Sequence, residues 1–264
     1  SRAMIPALRI ASVNFGSQHT NIAIVDYDIS RTGTLHPVRT LAERDAIAGE
    51  TVIAAIADRF VLGSIEATLI SHGTRKVAEL MSQAFSKGAA SETDIYPFAQ
   101  HFFERMRHRV LLPATTALLD AYIALPVEMF GGLLSFDLQR LVADGGGRLA
   151  PLDREFEQVA LNRGASQYRL ASTQVIFNRR AFSATIRAAL APLITSVART
   201  VHVRCCDTLI LSGRLAQLSD VEHALLELLP LAPHRIVNLA SRGSKLVEIQ
   251  QRSNSATAAL MGAA

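Results

Sequence analysis

The chain is poor in cysteine, poor in lysine, and has no long uninterrupted apolar run. Its two cysteines, Cys205 and Cys206, are adjacent. Adjacent thiols cannot close an ordinary structural staple, and two are too few for a thiolate zinc site. His202, three residues before Cys205, adds an imidazole, but two thiols and an imidazole on a short apolar strand read as packing rather than ligation. A reduced, cytoplasmic compartment is the expectation. Lysine occurs only at Lys76, Lys87 and Lys245; every other basic residue is arginine. Arginine suits phosphate recognition because its planar fork meets two oxygens, although coding bias produces the same enrichment. No basic run with interleaved aromatics occurs, which leaves nucleic-acid binding without support. No basic n-region followed by an apolar h-region opens the sequence. The most apolar stretch, residues 110–136, is broken by Pro113, Asp120, Pro126 and Glu128. A membrane span needs about 20 nearly continuous apolar residues, so this stretch reads as a buried helix pair and no span is expected.

What is present points to a packed α/β protein. The length of 264 residues suits one large domain or two small ones. With 49% hydrophobic and 19% charged residues, disorder is excluded as the general state. Residues 8–15 and 21–29 read as two strands around a tight polar turn, Gly16-Ser17-Gln18-His19-Thr20, and so as a hairpin. Residues 35–41 can add a third strand. A helical period follows over 48–62, with Val52, Ile53, Ile56 and Phe60 on one face. A helix-rich block covers 74–125. It contains a capping-box pattern at Ser91 and Asp94 and a stripe of Phe98, Phe102, Met106 and Val110. Residues 131–171 show no clear period. Gly145-Gly146-Gly147 reads as a flexible loop, and without a following GK[ST] it is no phosphate cradle.

The last third predicts a strand over 173–177, a long amphipathic helix over 179–203 despite Pro192, and a buried-type strand over 207–211 ending in Ser212-Gly213. Ser219 and Glu222 suggest a capping box for a helix over 221–229. A strand over 235–239 and a small-residue helix over 255–262 complete the pattern. The order is antiparallel hairpin, helical insertion, then helix–strand–turn–helix–strand–helix, which is α/β.

Three segments carry a family resemblance. Asn14-Phe-Gly-Ser-Gln-His-Thr-Asn21 and the strand after it, to Asp26, resemble the second phosphate motif of actin-like ATPases, usually D-I-G-G-G-T-T-D. Asp207-Thr-Leu-Ile-Leu-Ser-Gly-Arg-Leu-Ala-Gln-Leu218 resembles their adenosine motif. Ala256-Thr-Ala-Ala-Leu-Met-Gly-Ala-Ala264 resembles the helix that closes the nucleotide lobe. Ala48-Gly49-Glu50 resembles the start of the insertion subdomain in large heat-shock chaperones. Cys206-Asp-Thr-Leu-Ile-Leu-Ser-Gly-Arg214 and Ala232-Pro-His-Arg-Ile-Val237 resemble C-D-V-L-L-L-S-G-R and P-P-D-R-I-V of the SrfB family of bacterial virulence-associated proteins. The resemblance implies an actin-like, ribonuclease H-like lobe: a mixed sheet flanked by helices, with a helical insertion. It implies that residues 5–57 and 172–264 form the lobe and 58–171 the insertion. It also implies a second lobe excised from, or encoded apart from, a longer protein, with the first phosphate motif on a missing lobe. ATP or ADP with Mg2+ is the implied cofactor.

The implied contacts fall on Asn14, Gly16, Ser17, Gln18, His19 and Thr20 in the hairpin, on Glu50 at the insertion boundary, and on Ser212, Gly213 and Arg214 after the buried strand. Small residues let backbone N–H groups face phosphate oxygens. His19 is bulky for its place. Arg214 can stack on a base, while Gln217 stands where many relatives carry Arg. Glu50 either faces the cleft or complements the dipole of its helix. The two acidic positions of the motif are Asn14 and Asn21 here. An amide carries no charge to hold a hard dication, and loss of one preorganised electrostatic group costs roughly 10²–10³ in rate. Weak or absent hydrolysis is therefore expected. No nucleophile–base pair is legible, and His101 and His108 read as surface residues. Two other readings stay open: a pseudo-ATPase that docks a partner protein through the insertion, and a miniature complete kinase in which residues 14–26 are the first phosphate motif.

Overall fold

The computed structural model describes residues 8–85, 102, 104–125 and 132–240. The Ser91–Asp94 pattern, Phe98, His101 and the segment from 256 to 264 lie outside the described residues. In chain order the elements are β1 (Leu8–Phe15), β2 (Thr20–Ile29), β3 (Leu35–Asp45), α1 (Gly49–Ile56), α2 (Gly63–Ser71), α3 (Val77–Phe85), α4 (Leu112–Ala124), β4 (Leu133–Asp137), α5 (Leu138–Asp144), α6 (Ala150–Asn162), β5 (Gln174–Asn178), α7 (Arg179–Val203), β6 (Thr208–Gly213), α8 (Ser219–Leu228) and β7 (Ile236–Asn238). Two π-helical segments, Ala57–Leu62 and Arg107–Leu111, run into α2 and α4. The chain forms two compact units. One holds the described residues up to Val52 and those from Arg187 onward; the other is Ile53–Ile186.

The first unit is built on a five-stranded mixed sheet in the order β3-β2-β1-β6-β7. β1, β2 and β3 form an antiparallel meander, whereas β1–β6 and β6–β7 are parallel pairs. Alternation sets its faces. Ala11, Val13 and Phe15 of β1, Ile22 and Ile24 of β2, and Leu209 and Leu211 of β6 are all buried, because successive strand side chains point to opposite sides. Leu190, Leu193, Ile194, Val197 and Val201 of α7 and Val221 and Leu225 of α8 are buried in the same unit. β1 and β6 are locked at their start by a reciprocal exchange: the Asp207 amide donates to the Arg9 carbonyl at 2.8 Å, and the Arg9 amide donates to Asp207 Oδ2 at 2.8 Å.

The second unit is mostly helical, with β4 and β5 as a two-stranded antiparallel sheet. Its core is aromatic. Phe182 stacks on Phe60 at 5.0 Å and on Tyr122 at 4.6 Å, and lies 4.8 Å from Phe177. Burying one such ring is worth about 1.5–3 kcal/mol relative to leaving it exposed. The buried Arg179 sits 5.0 Å over the Tyr122 ring and donates to the Leu125 carbonyl at 2.7 Å, so its charge is both stacked and hydrogen-bonded.

Several expectations need correction. Gly145, Gly146 and Gly147 are not a flexible loop. Their amides donate to Leu141, Ala143 and Val142 carbonyls, closing the end of α5. A β-carbon on Gly145 would meet the Pro113 carbonyl oxygen at 2.1 Å, and one on Gly147 the Arg109 carbonyl oxygen at 2.4 Å. The glycines serve close backbone approach. Ser219 is the first residue of α8, and no side-chain cap forms there; Glu222 instead accepts from Asn238 Nδ2 at 3.2 Å. Cys205 and Cys206 lie in the turn after α7, not on a strand. Among the described residues one helix, α7, is long and apolar enough to cross a membrane by length and composition. It is not within the 110–136 stretch that stands out in the sequence. It runs unbroken through Pro192, and its apolar stripe is buried within the protein.

Candidate functional site

The site residues all lie in the first unit, at the carboxyl ends of the parallel strands β1 and β6. Ligands of open α/β sheets bind at such strand ends. Asn14 of β1 faces Asn21 of β2 across the hairpin and Ser212 of β6 across the parallel pair; Asn21 in turn faces Arg44 of β3. Arg44, Asn21, Asn14 and Ser212 therefore form one row on one face of the sheet. Arg44 Nε donates to Asn21 Oδ1 at 3.2 Å, and Ser212 Oγ donates to Asn14 Oδ1 at 3.4 Å.

The hairpin loop is narrower than the sequence suggests, because Thr20 begins β2. Its side chain is buried and donates to the Ile47 carbonyl at 2.8 Å, so Thr20 anchors the loop and does not present a hydroxyl to a ligand. Gly16 donates to the Asn14 carbonyl at 3.2 Å and the His19 carbonyl at 3.1 Å. A β-carbon on Gly16 would lie 2.6 Å from that His19 oxygen, which is why the turn takes glycine. The loop carbonyls are also occupied: Gly16 accepts from the Gly49 amide at 3.0 Å, and Ser17 from the Glu50 amide at 2.8 Å. Glu50 is thus brought to the loop through its backbone, at the start of α1, with its side chain exposed. The amides of Ser17, Gln18 and His19 have no partner among the described residues, and all three residues are exposed. Consecutive unclaimed N–H groups on a tight turn form an anion-binding concavity.

The second half of the site follows β6. Gly213 has φ +90°, a conformation open to glycine and rare for other residues. It approaches β1 so closely that a β-carbon would meet the Phe15 carbonyl oxygen at 2.3 Å. Arg214 then starts a 3-10 turn to Gln217 and is exposed. That turn is held by Asn238 at the end of β7, whose Nδ2 donates to the Ala216 carbonyl at 2.6 Å and to Glu222. Sequence reading missed both Asn238 and Arg44. Neither belongs to a motif; each is brought in by the sheet order.

The Mg2+ implied by the resemblance does not fit this donor set. Octahedral Mg2+ binding uses carboxylate oxygens together with waters and phosphates. The two motif positions carry neutral amides, Asn21 Oδ1 already accepts from Arg44, and the Arg44 guanidinium brings a positive charge beside them. Among the described residues no group of three His, Cys, Asp or Glu side chains could hold a metal ion.

The described residues form a mixed α/β lobe, with a meander sheet, helices around it and a hairpin at the ends of its parallel strands, the architecture that the actin-like resemblance implies. The sequence profile of the family described as "Virulence factor SrfB" matches residues 1–244; the chain belongs to the SrfB family. No curated protein matches the chain. Among solved structures it is similar to Bacillus thuringiensis ParM in apo form, at 11% identity and a TM-score of 0.33 over 86% of this chain. This chain covers 38% of that one.

Proposed function

We propose that this chain is half of an actin-like nucleotide-binding domain, holding the phosphates of ATP or ADP at the tip of the β1–β2 hairpin and the adenosine beside Gly213 and Arg214. The observation that carries the reading is the set of unclaimed amides at Ser17, Gln18 and His19, at the same strand ends as the Gly213 approach to β1. In this reading the first phosphate motif comes from a missing lobe or a partner protein. With Asn at positions 14 and 21, hydrolysis by this chain is weak or absent, since no carboxylate at either position organises a metal or its waters. The test is calorimetric titration of ATP and ADP into the chain, with phosphate release measured in parallel. Binding without turnover supports the reading. Silence from both nucleotides, in the native chain and in the Asn14→Asp/Asn21→Asp variant, removes it.

A second reading rests on the other unit. The outward face of the β4–β5 sheet exposes Leu133 (75%) and Ile176 (51%). Apolar residues presented together on a sheet face suit a protein contact. A pseudo-ATPase of this kind would dock a partner through this second unit, which holds the 58–171 insertion together with β5. Capture of the chain by that partner, lost in Leu133→Ser/Ile176→Ser, would favour it.

A further inference from the structure

Resting on the nucleotide reading, we infer that Arg44 takes the place of the metal ion, so that this site binds a polyphosphate without Mg2+. The argument starts from what replaces what. The motif that the hairpin resembles carries a carboxylate at each of two positions, and the resemblance implies that the first helps to organise the water shell of a dication. Here both positions are amides, and the residue directly across the sheet from the second one is an arginine whose Nε donates to it at 3.2 Å. That single bond uses one of the five guanidinium donors. Arg44 is exposed, so the rest of its fork faces outward on the same sheet face as Asn21, Asn14 and Ser212. Asn21 orients the guanidinium, and Ser212 does the same for Asn14.

The charges around the row agree with an anion. Asp45, the next residue on β3, points to the other face and spends its carboxylate on the Ile47 amide at 2.9 Å. Glu43, on the other side of Arg44, has its carboxylate 3.8 Å from Arg204. Glu50 is the one carboxylate among the candidate contacts, and it meets the loop through its amide, not its side chain. Arginine is well suited to the role because it is never deprotonated and pairs with phosphate in two-point contacts. The inference also accounts for the asparagines together. Carboxylates at 14 and 21 with no metal would repel the phosphates, whereas amides can donate to them. His19, exposed at the loop tip, adds a donor that needs no metal.

The experiment is equilibrium titration of ADP and of ATP into the native chain, once with MgCl2 and once with EDTA, repeated for Arg44→Gln and for Asn21→Asp/Arg44→Gln. Affinity within about twofold in the two buffers is expected, with Arg44→Gln weakening it about 10- to 100-fold in both, the range for losing a hydrogen bond to a charged group. The double variant should bind only with MgCl2. Thermal melts of each variant establish that they fold. Binding to the native chain that requires MgCl2, or that Arg44→Gln leaves unchanged, overturns the inference and leaves the nucleotide reading standing. No binding in either buffer overturns both.

Discussion

Gly213 lies against Phe15 so closely that a β-carbon would sit 2.3 Å from the Phe15 carbonyl oxygen and 2.9 Å from Asn14 Oδ1. The contact joins the two halves of the candidate site through backbone, since Phe15 and Gly213 are register partners in the parallel β1–β6 pair. Two penalties would fall on any other residue there. One is the positive φ of +90°, worth about 1–3 kcal/mol; the other is the clash with a carbonyl that cannot swing away. Gly213→Ala should therefore destabilise the protein by more than about 2 kcal/mol. Gly33, with φ +79° and nothing within 4 Å of a β-carbon, isolates the first penalty, and Gly33→Ala should cost about 1 kcal/mol. Thermal melts of the two variants separate the effects. Equal shifts would mean that β1 and β6 do not approach as closely as described.

The glycine triplet after α5 separates sterics from dihedral strain in the same way. Gly145 has an ordinary φ of −81°, so alanine is acceptable to its own backbone. Its cost would come wholly from the Pro113 carbonyl, 2.1 Å from a new β-carbon. Gly146 has φ +79° and open space around it. The expected order is that Gly145→Ala is the more damaging, by at least about 2 kcal/mol, the scale of overpacking a tight contact. Gly146→Asn should be nearly silent, because asparagine tolerates the left-handed region. Urea denaturation of both variants decides it, and a silent Gly145→Ala would contradict the helix contact.

These glycines also show where sequence reading works and where it stops. β1 and α7 are legible to the residue, because alternation in one and a stripe from Ile186 to Val197 in the other are strong periodic signals. The hairpin was legible for the same reason, with the family pattern reinforcing it. The glycine triplet was misread because glycine marks both loose loops and close contacts, and only the presence of the Pro113 backbone separates them. Arg44 was invisible for a different reason. It lies 23 residues beyond Asn21, in a strand expected to end at residue 41 and found to continue to Asp45. Within residues 131–171, β4 is a five-residue strand and α5 a seven-residue helix, too short for a period to emerge; the thirteen-residue α6 is long enough to show one and was overlooked.

The Arg9–Asp26 pair makes stability depend on pH in a defined direction. Arg9 Nε donates to Asp26 Oδ1 at 2.5 Å, and its Nη2 to Oδ2 at 3.1 Å, a two-point contact at the margin of the sheet core. This hydrogen bonding, with the guanidinium charge beside it, outweighs burial and holds the Asp26 carboxyl below the usual carboxylate range. A depressed pKa means that the unfolded chain binds the proton more readily. The contribution is then complete above the unfolded value of about 4 and is lost as pH falls through the folded value. Asp26→Asn should lower stability at neutral pH, and the gap between the two proteins should narrow as pH drops from about 5 toward 2. Urea midpoints across that range test it. A gap that stays constant would show that the carboxylate is not held by Arg9.

The adjacent cysteines should behave as one reactive thiol and one inert one. Cys205 is exposed and sits at φ +51°, while Cys206 is 6% exposed. The turn after α7 sends the two side chains to different surroundings. Burial pushes the Cys206 thiol up to about 11, outweighing the opposing pull of Arg9. Thiolate is the reactive form, so at pH 8 the buried Cys206 is held almost wholly as the unreactive thiol, while Cys205 is open to solvent. A disulfide reagent added at pH 8 should therefore modify one equivalent rapidly, with the second released only in denaturant. Cys205→Ser should abolish the rapid phase, and Cys206→Ser should leave it intact. Two rapid equivalents in the folded protein would place Cys206 outside the buried face of the sheet, and would also weaken the account of Arg9, whose side chain reaches back to the Arg204 carbonyl at that same turn.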